Sequence, residues 1–187
     1  MTLKFKQLLF LLFFPTFIFA QVDEINPPSY IKTITFKGST SQSQLPILRL
    51  GEPLLLEFDA LNGNEADFYY VIEHYNYDWT PSQLSKAEYL SGFDNQRIVN
   101  YENSFNAYQI YSHYNLKIPN QQTRGFLKTG NYMVLIYDDY DELVFSRKFM
   151  IYEEAVNVGV TIKRSRDVKF INEKQSVDFI VSNNSFN

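Results

Sequence analysis

The sequence contains no cysteine. A disulfide framework is therefore excluded, and so is a lipid anchor on a cysteine that follows an export signal. Glycine-rich phosphate loops are also absent. The chain has two histidines, His74 and His113, and neither has a second histidine or cysteine at a spacing that binds zinc. Because no nucleophile motif is present either, structural or surface roles fit both histidines better than catalysis.

Basic residues are few, with 17 Lys and Arg against 21 Asp and Glu. Two of the basic residues, Lys4 and Lys6, lie in an N-terminal segment that resembles an export signal. The remainder has 17 − 2 = 15 basic and 21 acidic residues, a net charge of −6. Nucleic-acid surfaces show clustered Lys and Arg, so a nucleic-acid partner is excluded.

The first twenty residues have the layout of a secretory signal peptide. Lys4 and Lys6 precede the apolar run LLFLLFFPTFIF, and Ala20 offers a cleavage site before Gln21. A membrane-spanning helix needs about 20 apolar residues, whereas this run is shorter and contains Pro15. Cleavage near Ala20 and release into the periplasm are therefore favoured over retention as an anchor, with no direct membrane span.

Short alternating runs separated by turn residues predict an all-β fold. Residues 54–61 (LLLEFDAL) alternate with Leu56, Phe58 and Ala60 on the buried face. Residues 30–37 (YIKTITFK) alternate as well, which places Ile31 and Phe36 on opposite faces of a strand. Residues 38–44 are a loop, and residues 46–50 are a short edge segment.

Three further regions complete a sandwich of sheets. Residues 67–77 (DFYYVIEHYNY) are apolar on both faces, which predicts a central strand. Residues 108–118 are read as a strand and 119–129 as a loop. Residues 132–137 and 143–152 form a hairpin around 138–142. Sheet periodicity with few helical stretches indicates an immunoglobulin- or fibronectin-like β-sandwich.

The domain organisation follows from these elements. Residues 1–20 are the signal peptide, 21–29 a linker and 30–153 an N-terminal β-sandwich domain. Residues 156–164 and 175–182 read as two more strands, and a pair of strands cannot bury a face alone. They either extend the first sheet or, as we favour, 154–187 is the truncated beginning of a second β-domain.

Four segments together resemble a known family. They are YIKTITFKGSTSQSQLPILRLGEPLLLEFDAL (30–61), HYNYDWTPSQLSKAEYLSGF (74–93), YENSFNAYQIYSHYNLKIPN (101–120) and TGNYMVLIYDDYDELVFSRKFMIYE (129–153). In this order and spacing they resemble the N-terminal domain of the plug-protein family of the Bacteroidetes type IX secretion system. The resemblance implies a periplasmic protein that closes the periplasmic mouth of an outer-membrane translocon barrel at rest. It brings no catalytic residue and no cofactor.

Three local motifs have competing interpretations. Trp79 follows a strand and either buries its ring beneath the next loop, which we favour, or anchors an interface. Gly130-Asn131-Tyr132 resembles a tyrosine corner, in which the hydroxyl bonds to nearby backbone. The acidic residues of 138–142 could bind calcium, but a solvated hairpin tip is the better interpretation because Asp favours turns.

The long connection between Trp79 and Tyr108 is the candidate docking region. It carries more apolar residues than a loop facing only water needs, and long ordered loops are usually functional. The partner-binding candidates are Tyr89, Leu90, Phe93, Tyr101 and Phe105. The alternative is that they fold back over the sandwich edge as a lid.

Three classes of function remain at this stage. The first is the translocon plug, a protein–protein interaction module with no enzyme activity and no metal. The second is a periplasmic carbohydrate- or ligand-binding sandwich, for which the many aromatic residues are the main hint. The third is an accessory domain of an enzyme. The family resemblance favours the first.

Overall fold

The computed structural model describes residues 22–37, 45–63 and 65–182, and the fold in these ranges is almost entirely β. The predicted signal peptide (1–20) and the predicted loop at 38–44 lie outside the described residues. In the described ranges, no helix has both the length and the apolar composition that crossing a bilayer requires.

Thirteen strands, one short α-helix and, between the last two strands, a 3₁₀ helix (Val168–Phe170) follow one another along the described chain. They are β1 (Ile31–Lys37), β2 (Ile47–Arg49), β3 (Leu54–Ala60), β4 (Tyr69–Tyr75), α1 (Lys86–Tyr89), β5 (Leu90–Gly92), β6 (Gln96–Arg97), β7 (Tyr101–Asn103), β8 (Ser112–Ile118), β9 (Thr123–Phe126), β10 (Gly130–Tyr137), β11 (Leu143–Tyr152), β12 (Asn157–Arg164) and β13 (Gln175–Ser182).

Two sheets face each other as the layers of a sandwich. One has the order β1-β3-β8-β7 and the other β2-β11-β10-β4-β6. Aromatic rings join the layers: Phe58 on β3 meets Phe145 on β11 at a centroid separation of 5.2 Å. Leu54, Leu56, Phe58 and Ala60 are all buried, so the predicted alternation of β3 is confirmed. The predicted all-β sandwich is confirmed.

A second, smaller cluster covers the outer face of the five-stranded sheet. Tyr75, Met133 and Leu135 form it, with Val22 and Trp79 packed against them. The Lys148 ammonium lies 4.6 Å from the centroid of the Trp79 ring. Trp79 is therefore half-buried beside the sheet, outside the main core.

The segment before β1 lies along the sheet without regular secondary structure. Ile25 N–H donates to Ser146 Oγ at 2.8 Å, and Lys148 N–H donates to Glu24 Oε1 at 2.6 Å. Ser146 N–H also donates to the Ile25 carbonyl at 3.2 Å. Residues 24 and 25 thus satisfy two backbone N–H groups of β11 ahead of the stretch that β2 pairs.

Three strand-level predictions need correction. The alternation of residues 30–37 is interrupted by a bulge at Thr33 (φ 52°), so Ile31 and Phe36 are both buried. β4, predicted to be a central strand covered on both faces, is an interior strand between β10 and β6, but the middle position of the five-stranded sheet belongs to β10. The predicted loop 119–129 contains β9, which pairs with β5.

The hairpin β12–β13 forms its own two-stranded antiparallel sheet. Its register pairs Val158 with Val181, Val160 with Phe179 and Ile162 with Val177. Because side chains alternate along a strand, these six apolar residues share one face. All six are exposed.

Candidate interaction site

The predicted docking residues divide into buried and exposed groups. Tyr89 and Leu90 are only 5% and 2% exposed and belong to the core, so they cannot touch a partner while the domain is folded. Phe93 is 71% exposed and Phe105 is 97% exposed. Tyr101 is half-buried, with its ring stacked on Tyr114 at 5.4 Å.

The short helix α1 explains why Tyr89 points inward. Ser85 and Glu88 form a capping box that starts α1, and the Tyr89 hydroxyl donates to the Ile72 carbonyl at 3.2 Å. Burial raises the pKa of Tyr89. Lys86 anchors the same helix through a 2.7 Å ion pair with Asp94. Burial opposes the charge of Lys86, but Asp94 outweighs it and raises the Lys86 pKa.

Phe93 and Phe105 do not form one patch. Phe93 N–H donates to the Gln122 carbonyl at 2.9 Å, beyond the end of β8. Phe105 precedes β8, in the connection from β7. The seven residues of β8 span roughly 20 Å, so the two rings lie near opposite ends of the sandwich.

The β7–β8 connection is the most exposed apolar feature of the first sandwich. Ser104 N–H donates to the Tyr111 carbonyl at 2.8 Å, and Tyr111 N–H returns to Ser104 Oγ at 2.9 Å. Between these clamps, Phe105, Tyr108 and Ile110 project outward, and Tyr108 is fully exposed. We call these three residues the hairpin tip. Its closed base means that the rings are presented by an ordered loop.

Other loops meet the hairpin tip at the same end of the sandwich. Gln109 Nε2 donates to the Leu61 carbonyl at 3.1 Å, and Leu61 N–H donates to the Tyr30 carbonyl at 2.8 Å. Burial raises the pKa of Tyr30, and the nearby carboxylates of Asp138 and Glu142 raise it further. The β10–β11 turn, with its exposed Tyr140, therefore belongs to this end as well.

Carboxylates surround this end and accept hydrogen bonds from its loops. Glu65 accepts a 2.8 Å hydrogen bond from the Tyr101 hydroxyl and another from Asn103 Nδ2, and these two bonds lower the Glu65 pKa. Asp138 Oδ1 accepts from the N–H groups of Tyr140 and Glu142, both at 2.9 Å. The end therefore combines exposed aromatic rings with negative charge.

The polar clusters show no metal-binding geometry in the part of the chain that the structure describes. No group of three or more His, Asp or Glu side chains there is placed to hold a metal ion. His113 Nδ1 lies 2.7 Å from Asp59 Oδ1, directly across the β3–β8 ladder. The ring of His74 packs edge-on against Tyr132 at 4.8 Å.

A cleft of about 450 Å³ opens between β6 and β8. Its floor is apolar, formed by Tyr70, Ile98 and Leu116, which are buried. Carboxamide side chains dominate its walls: Gln96, Asn100, Asn115, Asn120, Gln121 and Gln122. We call it the edge cleft.

Sequence reasoning missed three of the exposed apolar residues. Tyr108, Ile110 and Ser112 are spaced two residues apart, as on one face of a strand. This spacing predicts a strand that begins at residue 108. In the structure β8 begins at Ser112, so Tyr108 and Ile110 belong to the hairpin tip. Tyr140 lies among the acidic residues of its turn, whose composition predicts only a solvated hairpin tip. A tyrosine that breaks an acidic turn was the available signal.

Comparisons with known proteins bear on the first domain and its surface. The family model described as "Type 9 secretion system plug protein 1st domain" matches residues 31–153. The fold is similar to that of a hypothetical protein from Parabacteroides merdae ATCC 43184, known from its crystal structure. The TM-score is 0.73 and the sequence identity 30%, over 89% of this chain and 43% of that one. This chain thus spans less than half of that protein. Among curated proteins, none matches.

Proposed function

This chain belongs to the type 9 secretion system plug protein family, and on that premise we propose that it closes the periplasmic mouth of the outer-membrane translocon barrel in its resting state. The proposal places the protein in the periplasm, as an interaction partner of the barrel protein and without enzyme activity of its own. The barrel is the partner because a plug has to contact the pore that it closes.

The observation that carries the proposal is the hairpin tip. Phe105 is 97% exposed, and Tyr108 beside it is fully exposed. A few aromatic anchors typically dominate the affinity of a protein interface. A plug has to release its pore repeatedly, so a compact set of anchors suits it better than a large obligate interface.

The surrounding carboxylates make this side of the proposed contact negatively charged. Glu65 lies beside the tip, and the turn with Asp138 and Glu142 shares the same end. Complementary charge mainly speeds association and suppresses wrong partners. We therefore expect the matching surface on the barrel to carry lysine or arginine around an apolar pocket.

Of the sequence-predicted docking residues, Phe105 remains a contact candidate and Phe93 a separate one at the far end. Tyr101 supports the site from behind, through its hydrogen bond to Glu65. Tyr89 and Leu90 support the fold. A variant at Tyr89 would therefore test folding, and variants for docking have to be chosen from the exposed residues.

The test is affinity purification from the native cell envelope with a Phe105→Ser, Tyr108→Ser double variant. Both side chains are exposed, so the free energy of unfolding should change by less than about 0.5 kcal/mol. Loss of two anchors should lower co-purification of the barrel about tenfold or more. Uptake of a large antibiotic such as vancomycin, normally held back by the outer membrane, should rise.

Phe93→Ser is the matched control, since Phe93 is also an exposed phenylalanine but lies at the opposite end. It should leave capture and the permeability barrier at the wild-type level. If Phe93→Ser weakens capture and the tip variant does not, the contact lies at the Phe93 end. If neither variant changes capture, the loops at both ends are excluded as the docking surface.

A further inference from the structure

The strand β8 has a backbone edge that its neighbour β7 covers only in part. Pairing between them runs from Tyr101↔Tyr114 to Asn103↔Ser112. One more bond follows, in which Asn115 N–H donates to the Asn100 carbonyl at 2.9 Å. Beyond Asn115, on that side, β8 borders the edge cleft, and no strand of the described residues pairs with it there.

The alternation of a strand places the backbone groups of Lys117 in the edge cleft. Asn115 N–H points towards the β7 side, so Lys117, two residues on, points its N–H and C=O the same way. The Lys117 carbonyl indeed accepts from Asn120 Nδ2 at 3.1 Å, away from β3. An outward N–H on a strand edge is a template for another strand.

Hydrogen bonds fix the wall of the cleft that follows the end of β8. Asn120 Oδ1 accepts from the N–H groups of Gln122 at 2.9 Å and Thr123 at 2.8 Å, and Asn120 Nδ2 donates to the Tyr70 hydroxyl at 2.9 Å. Tyr70 also bonds Thr123 Oγ1 at 2.8 Å. This network fixes the loop after β8, so the cleft is preformed.

We propose that the edge cleft binds an extended polypeptide segment of a partner protein, which adds a strand beside residues 115–118 of β8. The proposal goes beyond closure of the pore and does not depend on it. Strand addition takes its affinity from main-chain hydrogen bonds and its specificity from the alternating side chains. Here Lys117 N–H supplies the central main-chain donor.

The chemistry of the cleft defines the segment that fits. Side chains that point inward meet the apolar floor of Tyr70, Ile98 and Leu116. Side chains that point outward lie beside Lys117, which is on the exposed face of β8. Arg97 and Lys117 are the two cations of the lining, and none of the described lining residues is a carboxylate. Arg97 is ion-paired with Asp67 at 2.7 Å, so Lys117 supplies the positive charge that faces the segment. The segment should therefore alternate aliphatic and acidic residues.

A glycan fits the same cleft less well. Sugar rings are usually held by stacking on exposed aromatic faces, and the one aromatic residue of the lining, Tyr70, is buried. Carboxamides bond equally well to peptide groups, which each present one donor and one acceptor. The polar walls therefore match a peptide main chain.

The decisive measurement is amide hydrogen exchange by NMR on the ¹⁵N-labelled chain. In the free protein, Lys117 N–H should exchange much faster than the amides of Leu116 and Ile118, which point towards β3. The probe is an acetylated and amidated octapeptide that alternates valine and glutamate. At saturation it should slow exchange at Lys117 about tenfold or more.

Two probe controls test the mode of binding. The same octapeptide with N-methyl groups on alternate amides cannot pair along a strand edge, and the version with lysine in place of glutamate has the wrong charge. Both should bind at least about tenfold more weakly than the acidic probe. Maltohexaose is the glycan arm and should leave the resonances of the lining unchanged.

A matched pair of variants separates the contribution of the Lys117 backbone N–H to peptide binding from that of its side chain. Lys117→Pro removes the outward N–H but none of the hydrogen bonds to β3, and it should lower the affinity for the acidic octapeptide about tenfold or more. Lys117→Ala keeps the N–H and should lower that affinity only about threefold. Should Lys117→Pro fail to fold, the exchange rates of the wild-type amide decide the matter.

The proposal is overturned by any of four results. They are a Lys117 amide already protected in the free chain, peptide binding that leaves its exchange unchanged, equal binding of the N-methylated peptide, and no peptide binding at millimolar concentration. A shift of the cleft resonances by maltohexaose alone would assign the cleft to glycans.

Discussion

The hydroxyl of Tyr132 donates to the backbone carbonyl of Lys128 at 2.8 Å, four residues upstream in the chain. Tyr132 is fully buried, with its ring stacked on Phe149 at 5.3 Å. This is a tyrosine corner, and the sequence Gly130-Asn131-Tyr132 predicted it. The bond fixes the approach of the chain to β10, the middle strand of its sheet.

Replacing Tyr132 with phenylalanine should therefore lower stability without disturbing the core. The ring and its stacking remain, and the loss is the hydrogen bond to Lys128, worth about 1 kcal/mol. Urea unfolding should show a lower midpoint with an unchanged m-value. Tyr108→Phe removes a hydroxyl from a fully exposed side chain and is the control, with no measurable shift. Equal midpoints for the two variants would contradict a stabilising corner.

Alkaline pH should destabilise the domain through its buried tyrosines. Burial raises the pKa of Tyr75, Tyr89, Tyr114 and Tyr132 above the ordinary value of 10.0. The folded state thus holds these protons more tightly than the unfolded chain does. The stabilisation is complete below the unfolded pKa, about 10, and is lost as the pH rises above it.

Urea unfolding between about pH 8 and pH 11 measures this loss as a falling midpoint. Tyr75→Phe should make the decline shallower, because it removes one of the raised pKa values. For Tyr75 burial is the main cause, followed by the hydrogen bond to Glu73. A midpoint that stays constant above pH 10 would show that the pKa values of these tyrosines are the same in the folded and unfolded states.

Gly92 and Gly51 form a natural pair for testing the β5–β9 contact. Both have positive φ, 97° and 91°, so alanine at either position meets similar backbone strain. A Cβ at Gly92 would lie 2.1 Å from the Gln122 carbonyl oxygen, whereas nothing lies within 4 Å at Gly51. Gly51→Ala should cost about 1 kcal/mol, and Gly92→Ala at least about 2 kcal/mol more.

The comparison is made from the urea midpoints of the two purified variants. The phenylalanine that follows Gly92 gives a second readout, since Phe93 N–H donates to Gln122 O in the native fold. In Gly92→Ala that amide should exchange faster. Equal stability of the two variants would mean that β5 can move away from Gln122 at no cost.

Strands with uninterrupted alternation could be predicted from the sequence. β3 alternates without exception, and the β10–β11 hairpin encloses an acidic turn whose Asp138 caps its own backbone. The limit appears at β1, where the bulge at Thr33 reverses the faces of the residues that follow. A bulge is set by the partner strand, and no residue type in TITF signals it.

The docking residues show a different limit. Composition identified a loop with too many apolar residues, but it could not say which of them turn inward. Tyr89 is drawn inward by α1 and its bond to Ile72, while Phe105 is held outward by the clamp at Ser104. The orientation of each depends on contacts with residues distant in sequence, which local patterns do not contain.

The hairpin β12–β13 carries an apolar face that a two-stranded sheet cannot bury. Its six members are matched in pairs across the ladder, whereas the opposite face, with Thr161, Asp178 and Ser176, is mostly polar. Such segregation is typical of a strand pair with one face against a core. We propose that the hairpin begins a second β-domain, as the sequence predicts, and that this face belongs to its core.

Substituting Phe179 with lysine tests that proposal in the chain as it stands. Phe179 is 66% exposed and lies on the apolar face, while Ile180 is equally exposed on the polar face of the same strand. Phe179→Lys should break the continuous patch and lower the binding of the dye ANS and concentration-dependent self-association. Ile180→Lys, the matched control, should change both much less. Neither variant should change the free energy of unfolding of the first sandwich by more than about 0.5 kcal/mol, because both residues lie outside its core. Equal effects of the two lysines on ANS binding would show that the hairpin has no preferred apolar face, and the assignment of that face to a domain core would be wrong.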